Sequence, residues 1–166
     1  MRNIIVAFLL ICPILLFAQK KRENIISERV GPLYVDYIRS IDMDKGDTLL
    51  YFYLGFQNAK YSSITDIKSV FITQKDVYQS FMKDLLSAHK VLAAGEKTNI
   101  DWDRSPNYKM NIYDFSKSNP YLQEGKGTGG YTVLSKGILI NLIETMSQID
   151  FGNTVLLPKK SISDFQ

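Results

Sequence analysis

Residues 48–56 constrain the fold more than any other segment, because their apolar side chains alternate without interruption. Large apolar residues occupy every second position, at Leu50, Phe52, Leu54 and Phe56. Tyr51 and Tyr53 lie between them and point to the opposite face, since side chains in a β-strand repeat every two residues. The pattern predicts a β-strand with one buried face and a second face that carries tyrosines.

Further strands and two helices are predicted along the chain. Residues 33–41 are rich in aromatic and β-branched residues, and the acidic turn that contains Gly46 joins them to residues 48–56 as a hairpin. Additional strands are predicted at 67–73, 100–104, 108–115 and 131–134. One helix is predicted to begin at Thr73, with Asp76 completing a capping box, and to end at Gly95. Ser135 is predicted to cap a second helix that runs to about residue 150, although the segment 138–143 is apolar nearly all round and is also compatible with a strand.

This order of elements predicts an α+β fold. Strands occur in a run, then a helix, then strands, then a helix, which indicates a largely antiparallel sheet of five or six strands with two helices packed on one face. Residues 33–157 are assigned to this single domain, and residues 158–166 to a C-terminal tail. Residues 19–32 are polar and charged and are interpreted as an N-terminal tether or short helix.

The first 18 residues have the layout of a bacterial secretory signal peptide. A basic start is followed by an apolar run at 4–17 that only Pro13 interrupts, and Ala18 supplies the small residue for cleavage before Gln19. Leu16 and the basic residues 20–22 depart from this pattern, so an uncleaved anchor, a lipidated chain and a buried core helix stay open as alternatives. Export with cleavage predicts a periplasmic or secreted protein that keeps no stable membrane span.

The composition excludes several classes of function. Cys12 is the only cysteine and lies in the predicted signal peptide, and His89 is the only histidine. Most zinc sites, cysteine–histidine catalysis and disulfides are therefore excluded from the cleaved chain, and no metal or cofactor is predicted. The net charge of +3 predicts no particular affinity for nucleic acid. His89 is interpreted as a partly exposed structural histidine on the first helix.

Two motifs resemble binding sites only formally. Residues 125–130 satisfy the pattern G-x-G-x-x-G, but the sequence before them is not typical of a strand and a strand follows them. Dinucleotide binding requires the opposite order, so these residues are interpreted as a loop. The aspartates at 42, 44 and 47 resemble a cation loop, but Gly46 and Asp47 reverse the order that an EF-hand needs, and a hairpin turn is predicted instead.

The stretch Asp101–Trp102–Asp103–Arg104 is the candidate for chemistry on a glycan. On a strand, Asp101 and Asp103 share one face, and Trp102 points to the other. Glycoside hydrolysis uses a pair of carboxylates, and an exposed tryptophan stacks on sugars. The alternative is that Trp102 packs in the core while both aspartates face water.

The lack of clustered catalytic groups and of a metal-ligand set in the sequence, together with its tyrosine content, favours a binding function over catalysis. The chain contains ten tyrosines against one tryptophan, and partly exposed Tyr51 and Tyr53 would supply rigid contact area of the kind found at protein interfaces. If helices cover both faces of the sheet, these tyrosines are instead a second core layer. The leading hypothesis is a non-enzymatic binding module of the bacterial envelope, such as an inhibitor, immunity-type or accessory protein, whose partner is another envelope or secreted protein. The alternatives are a small carboxylate-dependent hydrolase that acts on glycans and a packing component of a larger envelope assembly.

Overall fold

The computed structural model describes residues 20–61, 65–95, 99–112, 119–125 and 130–165, with the backbone alone at 102–104. Two helices lie among its strands, α1 (Lys75–Ala94) and α2 (Lys136–Met146). The described strands are β1 (Lys20–Val30), β2 (Leu33–Asp42), β3 (Thr48–Gln57), β4 (Ile67–Ile72), β5 (Ile100–Ser105), β6 (Tyr108–Ile112), β7 (Pro120–Glu124) and β8 (Tyr131–Val133). A short 3-10 helix, Ile162–Phe165, follows α2 near the end of the chain.

The strands form two antiparallel sheets of four, in the orders β1-β2-β3-β4 and β5-β6-β7-β8. The α+β class and the two helices predicted from the sequence are confirmed, but the single sheet of five or six strands is wrong. Each sheet is a meander, and α1 carries the chain from the first sheet to the second. The prediction missed β7 as well as β1. Pro120–Glu124 is only five residues long, begins with proline and borders a glycine-rich stretch, so it lacks the usual signals of a strand.

The segment interpreted as a tether forms β1, the edge strand of the first sheet. It pairs with β2 from Lys20 opposite Asp42 to Val30 opposite Leu33, with an irregularity between Asn24 and Ile26. An edge strand needs few buried residues, and here only Ile26 and Val30 are buried. Charged side chains on such a strand also discourage further strand pairing. The polar sequence is therefore compatible with a strand that cross-strand hydrogen bonds hold in place.

The core lies between the two helices and the inner faces of both sheets, defined here as the faces that pack against the helices. Phe81 of α1 connects the layers, since its ring centroid lies 6.2 Å from that of Phe52 in the first sheet and 4.6 Å from that of Tyr108 in the second. The Tyr108 hydroxyl donates a hydrogen bond of 2.8 Å to the carboxylate of Asp84 on α1, and both side chains are buried. This polar link satisfies groups that would be costly to bury unpaired.

The helix limits differ from the predicted ones at two of their four ends. Gln74 is the N-cap of α1 and makes no side-chain capping bond, so the capping box predicted at Thr73 does not form. Gly95 ends α1 in the left-handed conformation with φ of 68°, as predicted. The second helix begins at Lys136 after Ser135 and ends at Met146 rather than near 150, because Ile149 pairs with Leu156 in an isolated β-bridge. Residues 138–143 are helical, which decides between the two interpretations of that segment.

Candidate binding surface

The face of the first sheet that points away from the helices carries a cluster of aromatic and aliphatic side chains. We call it the outer aromatic face, and its members are Tyr34 and Ile38 of β2, Leu49, Tyr51 and Tyr53 of β3, and Ile67 and Phe71 of β4. The register brings them together, since Ile38 lies opposite Tyr51 and Tyr53 lies opposite Phe71. Directly opposed side chains on one face of an antiparallel pair are in contact distance. Three strands therefore contribute to one continuous surface.

Four members of the outer aromatic face are strongly exposed for their size. Tyr34 is 46% exposed, Leu49 48%, Ile67 46% and Phe71 43%. A scattered exposed apolar residue is ordinary, whereas several on one face of a sheet indicate an interaction surface.

The two tyrosines predicted from the sequence lie in this surface, but one of them is not exposed. Tyr51 is only 8% exposed, because the Phe71 ring lies against it with centroids 4.8 Å apart. The expectation that Tyr51 is partly exposed is therefore wrong. Tyr53 is half-buried, and its ring lies over Gly55, where an added Cβ would come within 2.9 Å of the ring. Gly55 thus provides the space that lets the Tyr53 ring lie flat on the sheet.

Polar groups border the outer aromatic face and give it shape. The Arg29 guanidinium lies 5.4 Å from the centroid of the Tyr34 ring, which is cation–π geometry. Beside Phe71 a cleft of about 160 Å³ opens between β4 and the β5–β6 turn, lined by Ser69, Phe71, Pro106, Asn107 and Glu124. The Asn107 side-chain amide donates a 2.6 Å hydrogen bond to the Phe71 carbonyl and fixes the wall of this cleft. The surface thus combines apolar side chains with polar groups at its border and with half-buried Asp36, which lies opposite Tyr53 on the same face.

The carboxylate stretch predicted for glycan chemistry lies in the other sheet. Asp101 is exposed on β5 and accepts a 2.5 Å hydrogen bond from the side-chain amide of Asn111, its cross-strand partner. Trp102 and Asp103 belong to β5, but their side chains lie outside the described residues. The structure therefore does not bring Tyr51 and Tyr53 together with Asp101 in one site.

The other candidate ligand groups do not assemble into a metal site. Within the described ranges, no group of three or more histidine, cysteine, aspartate and glutamate side chains is placed to hold a metal ion.

Neither described helix is both long and apolar enough to cross a membrane. Of the glycine-rich stretch at 125–130, residues 126–129 lie outside the described part of the chain.

His89 is buried on α1, in contrast to the partly exposed position expected from the sequence. Desolvation, and secondarily the charge of Lys136, lowers the pKa of its imidazole. The folded protein therefore binds a proton at His89 less readily than the unfolded chain does.

This difference predicts that the folded protein loses stability as the pH falls below about 6.5, the usual histidine value. His89→Gln removes the only histidine, so the variant should lose less stability than the wild type between about pH 7.5 and pH 5.5. Urea unfolding at several pH values measures both profiles. Parallel profiles for the two proteins would contradict the prediction, whatever the absolute stability of the variant.

Sequence reasoning missed most members of the outer aromatic face. Tyr34 and Ile38 lie on one face of β2 with Asp36 between them, and Ile67 and Phe71 lie on β4, but their shared orientation depends on the register between three strands. The alternation in β2 was the one available signal.

The chain matches no protein-family model, no curated protein sequence and no solved structure.

Proposed function

We propose that this chain is an exported, non-enzymatic binding module that recognises another envelope or secreted protein through its outer aromatic face. The observation that carries the proposal is the group of four side chains, Tyr34, Leu49, Ile67 and Phe71, each more than 40% exposed on one sheet face. Exposed apolar side chains of this size cost free energy in water, and burying them against a partner recovers it.

The chemistry of the surface favours a protein partner. Tyrosine and phenylalanine are enriched in the centres of protein interfaces, where they are held in few rotamers and lose little entropy on binding. Here Tyr53 is already packed on Gly55, and Tyr51 is already packed on Phe71. The cleft beside Phe71 is of a size to receive one side chain of the partner. We therefore expect a partner with an apolar centre that inserts a side chain beside Phe71.

Export remains part of this proposal. The described part of β1 begins at Lys20, which is one residue after Gln19. Cleavage between Ala18 and Gln19 would therefore leave every described strand of the first sheet in the mature protein. The exposed side chains of residues 20–22 lie on the edge strand and take no part in the core.

The test is site-specific photo-crosslinking in the native host. A benzophenone amino acid is introduced singly at Tyr34 or Leu49, and at the control positions Val155 and Leu157, which are 73% and 44% exposed and lie outside the first sheet. We expect one defined protein adduct from the first two positions and none from the controls. The N-terminal peptide of this chain, released from the same adduct by proteolysis, should begin at Gln19.

Affinity measurements with the purified adduct partner complete the test. Tyr34→Ala and Phe71→Ala should each weaken binding about tenfold or more, as expected for central interface residues. Val155→Ala is the matched control and should change the affinity less than twofold. Equal crosslinking at face and control positions, or no loss of affinity in either face variant, would contradict the proposal.

The glycan hydrolase stays a prediction, because no described contact of Asp101 favours it over a surface aspartate. An exposed carboxylate that accepts a hydrogen bond from a neighbouring asparagine is ordinary cross-strand pairing.

A further inference from the structure

A groove along α1 lies apart from the outer aromatic face, between α1, the end of α2 and the C-terminal segment. Its larger cavity has a volume of about 490 Å³, and its smaller one about 270 Å³. Phe165 of the 3-10 helix lines both, so the two cavities are neighbours separated by this side chain. Volumes of about 300–1,000 Å³ are typical of sites for small molecules.

One face of α1 builds the floor of the groove. Tyr78 and Met82 line the larger cavity, and Leu86 and His89 line the smaller one. These residues recur every three or four positions and so share one side of the helix. They form a second apolar stripe beside the one that faces the core through Phe81 and Leu85. The groove thus follows α1 for about three turns.

The larger cavity is lined by apolar side chains together with the polar side chains of Gln79 and Ser147. Met82, Ile149 and Phe165 contribute thioether, aliphatic and aromatic surface, whereas the Met146 side chain is fully buried in the core. The Tyr78 hydroxyl donates a 2.8 Å hydrogen bond to the Met146 carbonyl and is therefore not free to select a polar ligand. Methionine side chains adapt to ligands of varied shape, which suits a flexible chain.

The charges at the mouth are all positive. Lys83 and Lys160 line the larger cavity and Lys90 lines the smaller one, whereas no carboxylate is among the described lining residues of either. The Lys160 ammonium lies 5.8 Å from the centroid of the Phe165 ring, at the junction of the two cavities. Lysine side chains keep their alkyl stems on an apolar surface and hold the charge at its border.

The nearest acidic groups of the C-terminal segment and α2 are occupied by backbone donors. The Ile162 amide donates to the Glu144 carboxylate at 3.0 Å, and the Ser161 amide donates to Asp164 at 2.8 Å. These bonds, with the bond of 2.9 Å from the Lys160 amide to the Ser147 hydroxyl, hold the C-terminal segment along the groove. The wall that contains Phe165 is therefore tied to α2.

We propose that this groove binds a single-chain amphiphile with a carboxylate headgroup, that is, a fatty acid. The chain occupies the larger cavity between Met82, Ile149 and Phe165, and the carboxylate is held by Lys83 and Lys160. A cationic ligand would be repelled by these lysines, and a two-chain lipid would need more space than one cavity offers. This site shares no residue with the outer aromatic face, so the fatty-acid proposal can be tested separately from the proposed protein-binding function.

The test is isothermal titration of the full mature chain with dodecanoate below its micelle concentration, and with 1-dodecanol as the neutral analogue. We expect saturable binding of dodecanoate at one site. Dodecanol should bind about tenfold more weakly, because it lacks the carboxylate that pairs with Lys83 and Lys160. The double variant Lys83→Met and Lys160→Met should weaken dodecanoate about tenfold and leave dodecanol nearly unchanged. Lys45→Met in the β2–β3 turn is the control and should bind both ligands as the wild type does.

Filling the larger cavity tests the position of the chain. Met82→Trp should abolish saturable binding, whereas Met82→Leu should retain it within about threefold. Circular dichroism shows whether both variants fold. If Met82→Trp does not fold, the double variant Lys83→Met and Lys160→Met still tests the proposal. Equal affinity for dodecanoate and dodecanol, an equal loss in Lys45→Met, or no saturable binding by the wild type would each overturn the proposal. If the protein cosediments with phosphatidylglycerol vesicles but does not bind dodecanoate, the proposal is also overturned, and the lysines would instead bind a membrane surface.

Discussion

Phe81→Ala should lower the free energy of unfolding by about 3–5 kcal/mol, the largest effect that we expect from any single truncation in this chain. Phe81 is fully buried, and its ring contacts Phe52 in the first sheet and Tyr108 in the second. Its removal leaves a cavity at the point where α1 connects the two sheets. Well-packed cores close such cavities only in part, so the loss of transfer free energy and the loss of packing add together.

The matched control is the same truncation on the other side of the first sheet. Phe71 is 43% exposed, so Phe71→Ala leaves no enclosed cavity and should cost about 1–2 kcal/mol. Urea unfolding monitored by circular dichroism measures both. For a domain of this size the Phe81 variant should also melt roughly 10 °C below the wild type. Similar losses in the two variants would contradict the assignment of Phe81 to a shared core.

Gly125→Ala should destabilise the protein by about 1–3 kcal/mol, because the new methyl group collides with backbone rather than with a flexible side chain. An added Cβ at this position would lie 2.2 Å from the Pro106 carbonyl oxygen and 2.6 Å from the Asn107 carbonyl carbon. The Gly125 amide also donates a 3.1 Å hydrogen bond to the Asn107 carbonyl. The close approach of β7 to the β5–β6 turn therefore requires glycine at this position.

Gly137→Ala is the matched control, and we expect it to change the free energy of unfolding in the opposite direction. Gly137 lies in α2 with nothing within 4 Å of an added Cβ. Alanine there should stabilise the protein by up to about 1 kcal/mol, since it restricts the unfolded chain and favours the helix. Differential scanning calorimetry of the two variants measures the contrast. A Gly125→Ala variant as stable as the wild type would show that the turn and β7 are not packed as described.

The two sheets illustrate what periodicity reveals and what it leaves out. Strands with a buried face, such as β3 and β6, were predictable because one face is removed from water. Apolar residues therefore occupy every second position along the strand. Edge strands lack this signal. Most β1 side chains are exposed, and the strand is held by the backbone ladder with β2. Backbone hydrogen bonds are available to almost any residue, so the sequence of β1 contains little information about them.

The candidate site shows a similar division. Tyr53 was placed on the face opposite Phe52 and Leu54 by alternation alone, and it lies there. The burial of Tyr51 depends on Phe71, which is twenty positions away in the chain and one strand away in the sheet. No local pattern contains that contact. His89 and the groove depend in the same way on the C-terminal segment, which was interpreted as a tail but packs through Ile162 and Phe165.

The sequence by itself determined the α+β class, the two helices, the buried faces of the central strands and the absence of disulfides in the predicted mature chain. Each of these follows from local periodicity or from composition. Only the tertiary structure decided that the strands divide into two sheets, that seven side chains form one outer aromatic face, and that α1 borders a groove with lysines at its mouth. These features depend on register and on contacts between distant segments, and such contacts are specified by the packing of the whole chain rather than by any short stretch of it.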